Sequence, residues 1–263
     1  MTQYRRQAVV ADAEYARGAP IAFGSDMIHE FSHLKAHQTT EVRTENPDDT
    51  SDSGTPRVKP VSFGISKMST FVTTDKIGHH EHFLGVHEAL MALGEMRGWR
   101  KMLELPEFEK ERAWISSDKY RELAKEYARK ELGISPEYLD TYAQTELKWI
   151  SEDGKHFHSF GYKGPRRVLE YVCRQIKEHF DDARFANEGE KFETWENVLD
   201  EFFKGHFSRK NFRRLNELVK AAFGTLAFRV LGNMDSSNKS ASLHLETMRA
   251  FRRERLKDAE KGR

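Results

Sequence analysis

Apolar residues along most of this chain recur every third or fourth position, the spacing that puts them on one face of a helix. Phe83, Val86, Leu90, Leu93 and Met96 predict a helix from about His80 to Leu105. A second run through Tyr120, Leu123, Tyr127 and Leu132 begins at Ser117, a hydroxyl cap, and stops at Gly133, where a left-handed C-terminal cap belongs. Ser135-Pro136-Glu137 opens a further helix carrying Leu139, Tyr142, Leu147 and Ile150. Gly164-Pro165 opens the next, with Val168, Val172 and Ile176 inward. Thr194 and Ser208 are candidate caps for two more, and a last helix is expected after Ser240. The first forty residues read as two short helices divided by Gly18 to Gly24, the second capped by Ser25 and running from Asp26 to about Gln38.

The pattern breaks in one place. Residues 39–59 hold few apolar side chains and several turn formers, so the segment 39–60 is expected to be a flexible loop or spacer. Val61, Phe63 and Ile65 then alternate with Ser62, Gly64 and Ser66, the period of one half-buried strand. The expected fold class is mainly α, a multi-helix bundle-like architecture with a minor β element near residues 60–66. The expected organisation is an N-terminal helical segment (1–38), the spacer (39–60), an acidic helical core (61–203) and a basic helical C-terminal region (204–263) packed on it.

Charge sharpens that division. Residues 204–263 hold fifteen Lys and Arg against six Asp and Glu, a balance of +9, while residues 1–203 carry −8, which together give the net +1 of the chain. The charged fraction is 32%, above the roughly 25% of ordinary globular chains. A basic end on an acidic remainder predicts a polyanionic partner, nucleic acid first, or an acidic protein surface. The N-terminus lacks the apolar core of a signal peptide, and no apolar stretch approaches the roughly 18–20 residues that span a bilayer, so a cytoplasmic protein is expected, without membrane contact. The lone Cys173 excludes an internal disulfide framework and reads as a small buried hydrophobe.

Within the basic region, Phe212, Leu215, Val219, Ala222 and Phe223 form one stripe of a helix. Lys210, Arg213 and Arg214 fall opposite it, flanked by Arg209 and Lys220. Such a face can neutralise phosphates along a nucleic-acid backbone. Arg252, Arg253 and Arg255 in the terminal segment, together with Arg166 and Arg167 after a glycine-rich aromatic loop (155–165), complete the candidate nucleic-acid contacts. The charges of the terminal helix surround most of its circumference, so it is expected to stay shallow, gripping a polyanion or fraying as a tail. The aromatics of the loop are candidates for stacking on unpaired bases.

Seven of the twelve histidines lie between residues 29 and 87. His29-Glu30-Phe31-Ser32-His33 matches H-E-x-x-H, in which two histidines bind zinc and the glutamate activates water. His79, His80, His82 and His87 are candidate third ligands. Met27, Ile28, Phe31 and Leu34 nevertheless define an apolar face about 150° from the histidine stripe, which predicts histidines turned to solvent. Arg174 and His179 match a loose R-x4-H spacing, yet lie about 140° apart on their helix. The reading that follows is a non-catalytic nucleic-acid-binding protein without cofactor, suited to be a subunit of a larger nucleoprotein complex. The alternatives are a zinc-dependent hydrolase using His29, His33 and Glu30, and a protein-interaction module docking on an acidic partner.

Overall fold

The computed structural model describes residues 2–3, 8–9, 13–36, 38–43, 57–63, 65–72, 77–185, 191–208 and 211–261. In chain order they form β1 (Thr2–Gln3), β2 (Ala8–Val9), α1 (Ala13–Gly18), α2 (Pro20–Lys35), β3 (Gln38–Arg43), β4 (Arg57–Phe63), β5 (Ser66–Val72) and β6 (Ile77–His82). There follow α3 (Leu84–Leu103), α4 (Glu109–Ile115), α5 (Asp118–Leu132), α6 (Leu139–Thr145), β7 (Leu147–Ile150), β8 (Phe157–Ser159) and α7 (Lys163–Asp181). The chain ends with α8 (Trp195–Phe207), α9 (Phe212–Phe223), α10 (Ala227–Gly232) and α11 (Asn238–Lys261). The fold is mainly α with minor β structure, as the apolar spacing predicts.

The chain divides into two compact units, each assembled from separate segments: residues 1–34 with 91–163, and residues 35–90 with 164–263. In the first, α5, α6 and β7 bury Tyr120, Ala124, Ala128, Tyr142, Ala143, Leu147 and Ile150 together. Here the local signals work as read. The Ser117 hydroxyl accepts from the Tyr120 N–H, and Gly133 closes α5 at φ +60°, a conformation that costs glycine no Cβ clash. Leu147 and Ile150 do not continue a helix, however. They lie on β7, which pairs antiparallel with β8, and the Trp114 indole N–H donates to the Ile150 carbonyl at 2.6 Å.

The second unit holds a four-stranded antiparallel sheet in the order β3-β4-β5-β6. Its existence corrects two expectations. The two ends of the predicted spacer pair with each other, Val42 opposite Val58 and Glu41 opposite Lys59, while residues 44–56 lie outside the described residues. The register slips between Thr39 and Thr40, opposite the stretch from Pro60 to Ser62, and a bulge is where a strand tolerates a proline that has no N–H to give. The histidine run 79–82 falls on β6, and α3 starts only at Leu84. Its start is anchored by the Phe83 N–H on the Gly232 carbonyl (2.6 Å) and the Gly85 N–H on the Met234 carbonyl (2.8 Å). The approach is so close that a Cβ on Gly85 would stand 2.4 Å from the Asp235 carbonyl oxygen.

The helical core of this unit buries Val168, Leu169, Val172, Cys173 and Ile176 of α7, Val198, Leu199 and Phe202 of α8, and Leu215, Leu218, Val219, Ala222 and Phe223 of α9. Thr194 forms a reciprocal capping box with Asn197 at the start of α8. Ser208 ends α8 instead of opening α9, whose N-cap is Asn211. The terminal helix is not a fraying tail: α11 buries Ala241, Met248 and Arg252.

Candidate functional site

The basic surface of the second unit is smaller than its sequence suggests, because the fold uses several of its cations. Arg252 is buried and donates to the Ala222 carbonyl (3.1 Å), to His179 Nδ1 (3.2 Å) and to the Gln175 side-chain oxygen (3.2 Å). Arg255 donates to the Ala221 carbonyl at 3.0 Å. Both carbonyls belong to the last turn of α9, where four C=O groups lack helical partners and the helix dipole favours a cation. The two arginines of α11 thus cap α9. A guanidinium donating to Nδ1 also holds the fully buried His179 in the neutral Nε2–H tautomer.

Arg166 is likewise buried, which removes it, with Arg252, from the phosphate-contacting set. Arg209 and Lys210 lie outside the described residues, and Arg214 is half-buried. Arg167, Arg213, Lys220 and Arg253 are exposed. Of these Arg213 pairs with Glu217 (3.1 Å), an i,i+4 bridge whose arginine is 89% exposed and whose contribution is therefore a few tenths of a kcal/mol at most. Arg174 covers the Trp195 ring at 4.6 Å, so the R-x4-H pair is divided between a surface cation–π contact and an interior hydrogen bond.

The first unit contains the polar cluster that sequence reasoning did not find. Lys148, on β7, forms ion pairs with Glu95 of α3 and Asp26 of α2; its side chain is 6% exposed and that of Glu95 only 3%. The Ser25 hydroxyl donates to Glu95 at 2.8 Å, and the Tyr15 hydroxyl to Asp26 at 2.6 Å. Burial alone would raise the Asp26 carboxyl, but the Lys148 ammonium and the two hydrogen bonds outweigh it and hold it below the ordinary 3.8. Burial and the adjoining Asp26 push the Tyr15 phenol far above its usual range. His158, stacked on Tyr15 at 4.7 Å, is pushed down by burial, partly offset by Asp26.

His29 and His33 border this cluster, and their placement overturns the expected solvent-facing stripe. His33 is buried, His29 Nδ1 meets Glu95 at 3.3 Å, and the two Nε2 atoms stand 3.1 Å apart. Phe31, expected inward, is 48% exposed. The reason lies upstream. α2 begins at Pro20, not after Ser25, and its buried stripe is Ile21, Ala22, Ser25 and His33. A serine read as a cap is a buried member of the helix.

The loop between β8 and α7 folds its aromatics back. Phe157 stacks on Tyr127 (4.0 Å), Phe160 is buried edge-on to Trp99 (5.6 Å), and Tyr162 lies parallel to His29 at 6.0 Å. None of the three faces is open for a base on that side. Tyr162 takes φ +52°, a left-handed conformation uncommon for a bulky residue. Of the candidate third ligands, His87 packs against His206 within the second unit (4.9 Å), His82 is half-buried, and the side chains of His79 and His80 lie outside the described residues.

Acid should unfold the protein partly through Asp26. A carboxyl held below 3.8 when folded stabilises above that pH, and the stabilisation disappears as pH falls through the folded value. Between pH 7 and pH 3, urea titrations are expected to show a smaller loss of stability in Asp26→Asn than in the parent. Equal losses would mean that the Lys148–Asp26 contact has no influence on acid unfolding.

The fold and these sites define a mainly α-helical protein with minor antiparallel β structure and a buried ionic cluster. Comparison with protein-family models, with curated proteins and with solved structures gives no match. No helix among the described residues is long and apolar enough to cross a membrane.

Proposed function

We propose that the protein binds nucleic acid through the surface that α9 and α11 share in the second unit. The observation that carries this reading is the exposure of Lys220 and Arg253, neither with a carboxylate partner among the described residues, on two helices tied together by Arg252 and Arg255. The internal arginines fix where the outer cations stand. Arg213 adds a third positive charge, since its exposed bridge to Glu217 is weak enough for a phosphate to displace. Arg209 and Lys210, which precede Asn211 in the sequence, add two positive charges to this stretch of the chain. A surface of this kind reads backbone charge and not base identity. The acidic balance of residues 1–203 suits the remainder to protein contacts within a nucleoprotein assembly.

The test is binding of labelled single- and double-stranded DNA and RNA over a salt series. The combined variant Arg213→Ala, Lys220→Ala, Arg253→Ala is expected to bind more weakly and with a shallower salt dependence, the slope falling by about two to three if each cation meets one phosphate. Its stability should stay within about 0.5 kcal/mol of the parent, because none of the three side chains is buried. A parent protein that binds no nucleic acid at low salt would defeat the proposal, and so would a folded variant whose affinity and slope are unchanged.

A further inference from the structure

The sequence motif at residues 29–33 remains unused by the nucleic-acid reading, and its geometry in the first unit asks for a cation. Zinc–imidazole bonds of about 2.0–2.1 Å place two nitrogen ligands about 2.9–3.4 Å apart between right-angled and tetrahedral geometry. The Nε2 atoms of His29 and His33, hydrogen-bonded to each other at 3.1 Å, have a separation inside that interval and stand on successive turns of one helix. Rotamers that bring the same nitrogen of both rings to one point are the arrangement a shared ion requires.

Three further features point the same way. First, Glu95 Oε2 lies 3.3 Å from His29 Nδ1, on the far side of the ring. A carboxylate on the other ring nitrogen fixes the tautomer, the pattern found around most metal-bound histidines. The His29 Nε2 lone pair, which accepts from His33 in the ion-free pair, can then bind a metal that displaces that hydrogen bond. Glu95 is itself immobilised by Ser25 and Lys148, so the His29 ring is held on a rigid support. Second, two carboxylates, Asp26 and Glu95, share the ammonium of Lys148. A cation at the imidazoles adds positive charge beside Glu95, the carboxylate of the two that is shut off from water. Third, Glu30, which lies between the two histidines in the sequence of α2, carries a side-chain oxygen shielded from solvent and without a hydrogen-bond partner among the described residues. An orphaned buried carboxylate oxygen is costly, and in the H-E-x-x-H pattern this glutamate is the residue that meets a metal-bound water.

We propose that His29 and His33 are a ligand pair for a divalent transition metal of the zinc class, with Glu95 orienting His29. Imidazole nitrogens beside carboxylates suit zinc, nickel or cobalt and discriminate against magnesium and calcium, which prefer oxygen ligands throughout. Tyr162, held parallel to His29 from a left-handed backbone position, shields one side of that ring. The inference is independent of the basic surface of the second unit and does not need it to bind nucleic acid.

The experiment uses the full chain, stripped with a chelator and then titrated with Zn(II) and, for its visible spectrum, Co(II). One equivalent of tightly held metal is expected, with a rise in Tm and with Co(II) absorption that grows to the same equivalence point. The double variant His29→Ala, His33→Ala should lose stoichiometric binding while nucleic-acid affinity is retained. Imidazole 15N spectra of the unaltered protein provide a measurement that does not depend on how the variants fold, and zinc should shift the Nε2 resonances of His29 and His33. Glu95→Gln is expected to weaken binding by about tenfold to a hundredfold without removing it. Absence of metal uptake by the unaltered protein overturns the proposal. So does uptake that leaves those two Nε2 resonances unmoved, or that survives in the folded double variant, since the ion would then sit among other histidines.

Discussion

Lys148→Met should destabilise the folded protein by about 3–5 kcal/mol, the range for removing one partner of a buried ion pair. The variant keeps the volume and apolar stem of the lysine, so the loss isolates the ammonium. What remains is the Glu95 carboxylate, 3% exposed, with the Ser25 hydroxyl and the His29 ring as its partners among the described residues. Asp26 suffers less, because its side chain is 43% exposed and water can replace the ammonium. Urea unfolding followed by far-UV circular dichroism measures the difference as a shift of midpoint at constant slope. The companion variant, Lys148→Met with Glu95→Gln, should recover much of the loss, since a neutral amide needs no counter-charge. If the single change costs less than about 1 kcal/mol, Lys148 is hydrated in solution and the cluster is not the closed ionic unit its geometry indicates.

That cluster was invisible in the sequence for a definite reason. Asp26, Glu95 and Lys148 come from three distant elements, and a buried charge in a linear sequence looks like any surface charge. The misplaced histidines were more accessible. Taking Pro20 as the first residue of α2, a position that suits proline, extends the helix upstream and aligns Ile21, Ser25 and His33 on one stripe. Reading Ser25 as a cap instead truncated the helix and made Phe31 appear to face inward. The four-stranded sheet escaped for another reason. Gln38–Arg43 is polar throughout most of its length, and only Thr39, Thr40 and Val42 have side chains that favour a strand. Pairing with Arg57–Phe63 across a long intervening segment leaves no local mark. By contrast, the ends of α5 and the start of α8 were legible because caps are local chemistry, complete within four residues. The charge excess of the C-terminal region was legible too, whereas its division between interior and surface was not. Met248 and Arg252, one turn apart on the buried side of α11, look from sequence like one apolar residue among many cations.

Arg252→Ala and Arg253→Ala, changes at adjacent residues, are therefore expected to have opposite signatures. Arg252→Ala leaves the Ala222 carbonyl and His179 Nδ1 without their donor in the interior, and loses the link to Gln175. An unsatisfied buried acceptor costs about 1–3 kcal/mol, so the expected destabilisation is about 2–4 kcal/mol once partial access of water is allowed. Burial also lowers the affinity of Arg252 for its proton, a sign that the guanidinium is held at some cost in desolvation and is retained by these bonds. The end of α9 should loosen first, because Arg252 and Arg255 both grip its last carbonyls, and amide exchange in the final turn of α9 and in the facing turns of α11 should accelerate. Arg253→Ala should leave unfolding within about 0.5 kcal/mol of the parent while weakening nucleic-acid binding and reducing its salt slope by about one. If instead Arg252→Ala unfolds normally and loses nucleic-acid affinity, Arg252 turns outward when the ligand arrives, and the phosphate-binding surface includes the cation placed here in the core.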